Sequence, residues 1–265
     1  MQKLPLLVVA MLIAALPASA ALPSLTGEPD AKTPPAVVMR KLSDFEGREE
    51  PEQRYIVATG KFEREKIAAI TDVAPGTIRC ALRYRSGQWW DGDRSSSDGK
   101  NRQRAEVKGL GPHQRSDQIF EYSTTWRTDP NFRCAGFCHV FQVKALEGDI
   151  GAPLITMTMS KDNKHVAVHV WSSTDKDSSI VRQFPWQPNT WMTVRIRVKP
   201  STGNDGAVLV SVNGDEFQGK TGIPVFRRGA TNYRPKWGLY RGVKDGMNMG
   251  DDWVEHRDVS ARRLN

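Results

Sequence analysis

The clearest regularity along the chain is alternation. In Thr193–Val194–Arg195–Ile196–Arg197–Val198–Lys199, three aliphatic side chains point one way and four polar ones the other, the period of a strand with one face buried. Val208, Val210 and Val212 repeat the pattern on the next segment, and Asn213–Gly214 after them suits a tight hairpin turn. Turn-forming clusters at Ala74–Pro75–Gly76, Ser96–Gly99, Lys161–Asp162–Asn163 and Ser201–Gly206 separate further alternating segments. No long stretch carries a helical period, and no internal repeat is present. The pattern predicts an all-β chain folded as one antiparallel β-sandwich of the jelly-roll kind, assigned to residues 54–265.

The N-terminus breaks this pattern. Lys3 precedes an apolar run from Leu6 to Leu16, and Pro17–Ala18–Ser19–Ala20 follows as a small-residue cleavage site, so residues 1–20 read as a secretory signal. The run is too short to span a bilayer, which takes about 20 residues. Cleavage after Ala20 and a periplasmic or secreted location are expected, with no membrane insertion afterwards. Residues 21–53, rich in Pro, Glu, Asp and Lys, read as a linker or arm.

Charge narrows the partners. The chain carries 38 Lys and Arg against 30 Asp and Glu, a formal net charge of +8, and loss of Lys3 with the signal leaves +7. A basic exported protein favours polyanions. The charge is dispersed, and composition alone does not choose among acidic polysaccharide, nucleic acid and an anionic membrane surface; export and the absence of any known motif argue against nucleic acid. Three cysteines, Cys80, Cys134 and Cys138, leave at least one thiol unpaired. Cys134 and Cys138 are spaced for a small loop-closing disulfide, and Cys80 reads as a buried thiol. Their spacing does not suit zinc.

Four segments gather polar chemistry on one strand face. Arg102, Arg104, Glu106 and Lys108 alternate along 102–108; Gln142 and Lys144 lie opposite Phe141 and Val143; His165, His169 and Trp171 lie opposite three valines. In Lys236–Trp237–Gly238–Leu239–Tyr240–Arg241, Lys236, Gly238 and Tyr240 share a face, with Trp237 and Leu239 on the other. A glycine between two long polar side chains would let a ligand approach the backbone. Each segment alone is also how an ordinary solvent-facing strand reads. Together they describe a sheet face suited to a chain of carboxylate-bearing sugars.

Arg104–Ala105–Glu106–Val107, Gln142–Val143–Lys144 and Lys236–Trp237–Gly238–Leu239–Tyr240–Arg241 resemble, in order and spacing, the motifs of the jelly-roll polysaccharide lyases: alginate lyases, glucuronan lyases and the heparin lyase I type. The resemblance covers roughly residues 100 to 245. It implies a concanavalin-like sandwich and β-elimination on a uronate polymer. In that chemistry Arg104 and Gln142 neutralise the uronate carboxylate. Tyr240 is general base, general acid, or both in turn. A free phenol titrates near pH 10, so neighbouring cations would have to favour the phenolate. Lys236, Lys144, Glu106, Arg102 and Arg241 are the expected substrate-binding residues. The chain departs from the alginate-lyase pattern where Lys144 stands in place of a histidine. His169 is the expected substitute; strict alternation sends His139 to the face opposite Gln142, so it ranks lower. Alginate in particular is thereby put in doubt.

Two other classes compete. A lectin-like binding module would use the same fold, with Trp89 or Trp90 stacking on sugars, but has no need of a phenol aimed at one carbon. A glycoside hydrolase would need two carboxyl groups about 5 Å apart. Glu147–Gly148–Asp149 begins such a motif, but Ala152 stands where its last carboxylate belongs. Asp251–Asp252 suit a structural calcium ion, and the lyase chemistry itself requires no cofactor. A monomer is expected.

Overall fold

The computed structural model describes residues 53–56, 62–65, 68–83, 101–109, 113–171, 173, 177–243 and 250–264. The expected signal, the arm up to residue 52, Ser96–Gly99 and Trp89–Trp90 lie outside the described residues. All regular structure among the described residues is β, in sixteen strands numbered in chain order. β1 (Gln53–Ile56) and β2 (Phe62–Glu65) form a two-stranded ribbon. The rest form two seven-stranded antiparallel sheets. The front sheet runs β11 (Ser178–Pro185), β10 (His165–Trp171), β9 (Ile155–Met159), β8 (Cys138–Ala145), β15 (Asn232–Val243) and β5 (Asn101–Lys108), with β6 (Gln114–Arg115) also on β15. The back sheet runs β14 (Gln218–Val225), β13 (Ser201–Val212), β12 (Met192–Lys199), β7 (Phe120–Thr128), β16 (Asp252–Arg263), β4 (Thr77–Leu82) and β3 (Ala68–Ala74).

This is the expected β-sandwich. Val194, Ile196 and Val198 of β12 pair with Val212, Val210 and Val208 of β13, and all six are buried. Tyr122 of the back sheet meets Phe141 of the front sheet at 5.8 Å between ring centroids, and Phe141 meets Trp237 at the same distance. Removing several hundred Å² of such ring surface from water is the main stabilising term of the core. Asn213 and Gly214 both take positive φ, 52° and 84°, as the tight hairpin turn requires. The Ser201–Gly206 cluster departs from expectation. It is carried inside β13 as an irregular stretch, where the ladder to β14 jumps from Ser201–Val225 to Gly206–Ile223.

At one end of the sandwich an ion pair crosses the core. Arg241 of β15 pairs with Asp252 of β16, and its guanidinium also donates to Gln103 Oε1 at 2.9 and 3.0 Å. Both charged residues are buried. Burial pushes the Asp252 carboxyl up to about 6, with Arg241 opposing. Asp252 therefore serves a buried arginine, and Asp251 beside it is exposed. Cys80, Cys134 and Cys138 are all buried free thiols. Cys138 is hydrogen-bonded to Cys134, and the two form no disulfide.

Candidate active site

The centre of the front sheet is β15, flanked by β5 and β8. Register fixes which side chains meet: Tyr240 lies opposite Arg104 on β5 and opposite His139 on β8, and Lys236 lies opposite Gln142. The Arg104 guanidinium sits over the Tyr240 ring, 4.2 Å from its centroid. The His139 ring lies 5.9 Å from the same ring, and Phe137 packs edge-on against it at 5.1 Å. Phe137 is seated where Gly242 leaves room, since a Cβ there would fall 2.8 Å from its ring. Tyr240 is thus held on three sides and remains partly exposed.

His139 corrects the alternation. A β-bulge between His139 and Phe141, where β8 pairs with β9, places an extra residue in β8. Val140 and Phe141 both join the core, so His139 lands on the face of Gln142 and Tyr240 instead of the opposite one. Its Nδ1 is 2.8 Å from Thr158 Oγ1. Burial, with His169, Lys144 and Arg104 nearby, pulls its pKa down to about 3, so the imidazole is neutral at ordinary pH. His169 also faces the front, with its Nδ1 3.3 Å from Ser178 Oγ, and burial lowers its pKa. Of the two, it is His139 that packs against the Tyr240 ring.

Gly238 is glycine for a reason other than ligand approach. Its φ is +146°, and a Cβ would lie 2.2 Å from the Ala105 carbonyl oxygen. The neighbouring strand β5 occupies the space. On the β8 side the register shifts between Trp237 and Tyr240, so Gly238 lets β15 serve two neighbours of different phase.

Three expected substrate contacts change character. Glu106 is 1% exposed; its Oε1 accepts from Gln142 Nε2 at 2.5 Å, and its Oε2 lies 3.9 Å from Arg104. A buried carboxylate so placed orients Gln142 and Arg104, and would repel a uronate rather than bind one. Arg241 points into the sandwich, engaged with Asp252 and Gln103. Lys236, opposite Gln142 in register, is fully buried and so does not reach out to a neighbouring sugar. Arg102 and Lys144 stay partly exposed on the expected face, Lys144 donating to the Gly151 carbonyl at 3.0 Å.

The acidic residues weighed for a hydrolase are occupied elsewhere. Glu147 Oε1 accepts from the backbone amides of Thr231 and Asn232, both at 2.7 Å, and Asp149 pairs with the buried Arg227 at 2.7 Å. Both brace the loop between β14 and β15. A cleft of about 850 Å³ lies beside that loop, lined in part by Ser116, Lys199 and Arg228. It contains none of the residues around Tyr240. Among the described residues no cluster of three or more His, Cys, Asp or Glu could hold a metal ion.

Comparison with known proteins gives the family and the fold. The family model for polysaccharide lyases matches residues 64–258. Among solved structures, the chain is similar to an endo-β-1,4-glucuronan lyase from the fungus Trichoderma reesei, at TM-score 0.57 and 14% identity over 74% of this chain and 87% of that one. It is also similar to alginate lyase A1-II', a member of polysaccharide lyase family 7, at TM-score 0.52 and 17% identity over 81% and 94%. No curated protein matches the sequence.

Proposed function

The chain belongs to the polysaccharide lyase family, and from that premise we propose that its front face cleaves an acidic, uronate-containing polysaccharide by β-elimination. The arrangement of Tyr240 beneath Arg104 and beside His139 carries this reading. β-Elimination breaks the C5–H bond of a uronate and the C4–O4 bond of the glycosidic link, forms a C4–C5 double bond, and delivers a proton to O4. The C5 proton is weakly acidic while the adjacent carboxylate is charged. Arg104 and Gln142, fixed by Glu106, neutralise that carboxylate and hold the negative charge that develops on it.

In this reading Tyr240 takes the proton from C5 and returns one to O4. Arg104 above its ring supplies positive charge where the phenolate would form. His139 is neutral and hydrogen-bonded to Thr158, so it adds a polar contact without adding a charge, and we assign it the place that the usual histidine holds. Arg102 and Lys144 are the exposed cations left to contact neighbouring sugars. The N-terminal leader supports export to the periplasm or beyond, where such polymers are met.

The test is ultraviolet absorbance of the unsaturated uronate while the mature protein meets alginate, glucuronan, heparin-type glycans and pectate. Absorbance should rise with one polymer and be lost in Tyr240→Phe, by roughly 10²–10⁴-fold. Reducing ends released without absorbance would replace this reading with hydrolysis.

A further inference from the structure

The outer face of the back sheet carries a second assembly of cations and rings. Arg79 of β4 lies 4.4 Å from the Trp253 ring, and Arg127 of β7 lies 5.8 Å from the same ring. Arg127 is also 4.6 Å from Trp191, which Arg257 of β16 approaches at 4.2 Å from another side. The sequence Arg79–Trp253–Arg127–Trp191–Arg257 is therefore one ladder of alternating guanidinium and indole, built from four separate segments. On β12, Arg197 and Arg195 repeat the motif at 4.0 and 5.3 Å from Phe217.

Carboxylates hold this ladder from beneath. Glu255 accepts from Arg79 at 2.6 Å and from Arg127 at 2.7 Å, and Glu121 accepts from Arg195 at 2.9 Å and Arg197 at 2.8 Å. The side chains of Glu255 and Glu121 are 1% and 6% exposed, whereas those of Arg79, Arg127 and Arg195 are 36%, 30% and 32% exposed. These two carboxylates are buried and these three arginines reach water, while Arg197 is buried beside Glu121. Asp258, 3.7 Å from Arg257, is the third carboxylate against five arginines, so the surface keeps a surplus of positive charge. A guanidinium has five donors in a planar fork, and the side chains of Arg79, Arg127, Arg195 and Arg257 bring theirs to water. The fork fits a carboxylate through two parallel bonds, and stacking fixes its plane before any ligand arrives.

We propose that this outer face is a second binding surface for an acidic polysaccharide, one that holds a polymer chain while the front face cleaves another. Its choice of ligand rests on the reading of the front face as a uronate site. Fixed forks between flat rings match a chain of sugars with carboxylates at regular intervals better than a compact anion. The two faces lie on opposite sides of a sandwich whose sheets alone stack about 10 Å apart, so a short oligosaccharide cannot engage both. The benefit appears with long or entangled polymer, as effective concentration.

The experiment uses full-length mature protein on beads carrying alginate or pectate, with dextran and duplex DNA beads as controls. Arg104→Ala provides a catalytically disabled parent that leaves the polymer on the beads uncleaved, so the part of its retention that back-face substitutions remove reads the back face. Adding Trp191→Ala and Arg257→Ala should weaken retention by about tenfold. Arg257→Glu alone, at an exposed position, should weaken it in the same direction with an unchanged melting temperature. In the otherwise native protein, the Trp191 and Arg257 substitutions should leave turnover of a short oligosaccharide unchanged and raise KM for long polymer several-fold. Retention unaltered by these substitutions, or equal retention on duplex DNA or dextran, would overturn the proposal. If no polyuronate yields product yet the variants lose retention, the back-face site stands and the front-face reading falls.

Discussion

On the front face Arg104 lies 4.2 Å from the Tyr240 ring; on the back face Arg127 lies 4.6 Å from Trp191. The two contacts look alike and their surroundings differ. Behind Arg127, Glu255 accepts hydrogen bonds with both of its oxygens, from Arg79 and Arg127. Behind Arg104, Glu106 uses one oxygen on Gln142 and leaves the other buried without a hydrogen bond. On the back face the buried carboxylate is satisfied and its arginines reach water, whereas on the front face the buried carboxylate keeps one oxygen without a hydrogen bond. Incomplete pairing raises the electrostatic reward for an incoming group that supplies what is missing, which is how a site stabilises charge developing in a transition state. Satisfied pairing gives a rigid surface that can hold a ligand and has no such reserve.

The contrast breaks most completely at Gly238→Ala. With φ at +146° and the Ala105 oxygen 2.2 Å from the new Cβ, either β15 or β5 must move. A loss of about 3–4 kcal/mol in denaturant unfolding is expected. Activity should fall with it, because Tyr240 and Arg104 sit on the two strands that separate. An alanine tolerated without loss of stability would mean that the register of these strands is not what positions the site.

Equivalent truncations on the two faces sharpen the comparison. Arg104→Ala should lower kcat by about 10²–10³-fold while the melting temperature hardly moves, because the guanidinium is spent on the transition state. Glu255→Gln should do the reverse. It leaves two arginines around a neutral amide, lowers stability by about 2 kcal/mol, and leaves turnover of a short oligosaccharide unchanged. Steady-state kinetics and chemical denaturation on both variants separate the outcomes. A stability loss in Arg104→Ala as large as in Glu255→Gln would erase the distinction between the faces.

Much of this was legible in the chain, and the failures have local causes. The paired valines of β12 and β13 announced themselves by strict alternation, and Arg104, Gln142 and Tyr240 by motif order. His139 was misplaced because one inserted residue at Val140 reverses the phase, and a bulge leaves no mark in an apolar run such as Val140–Phe141. Lys236 and Glu106 read as surface groups because alternation gives the face of a side chain but not what covers it. The arginine–tryptophan ladder leaves no trace in the linear sequence. Its members come from positions 79, 127, 191, 253 and 257, and only the strand order β12–β7–β16–β4 brings them together.

The smallest effect tests the front face through pH. An imidazole in the unfolded chain takes a proton near pH 6.5, whereas folded His139 declines one until about 3, and buried His256 until about 4. Between these limits the unfolded chain binds more protons, so stability rises with pH and is lost as the pH falls below 6.5. At pH 5.5 each imidazole should reduce stability by about 1.4 kcal/mol relative to its value above pH 7.5. His139→Gln keeps a hydrogen-bonding group for Thr158 and removes the titration, so it should halve the summed loss from these two groups over that range. The back-face network has no histidine among its members, and Trp191→Ala should leave the slope as it was. Urea unfolding at a series of pH values, with the three proteins compared, reads the difference. An unchanged slope in His139→Gln would mean that the ring is solvated and protonated in the folded protein, and hence that it brings a positive charge, rather than a neutral contact, to the side of Tyr240.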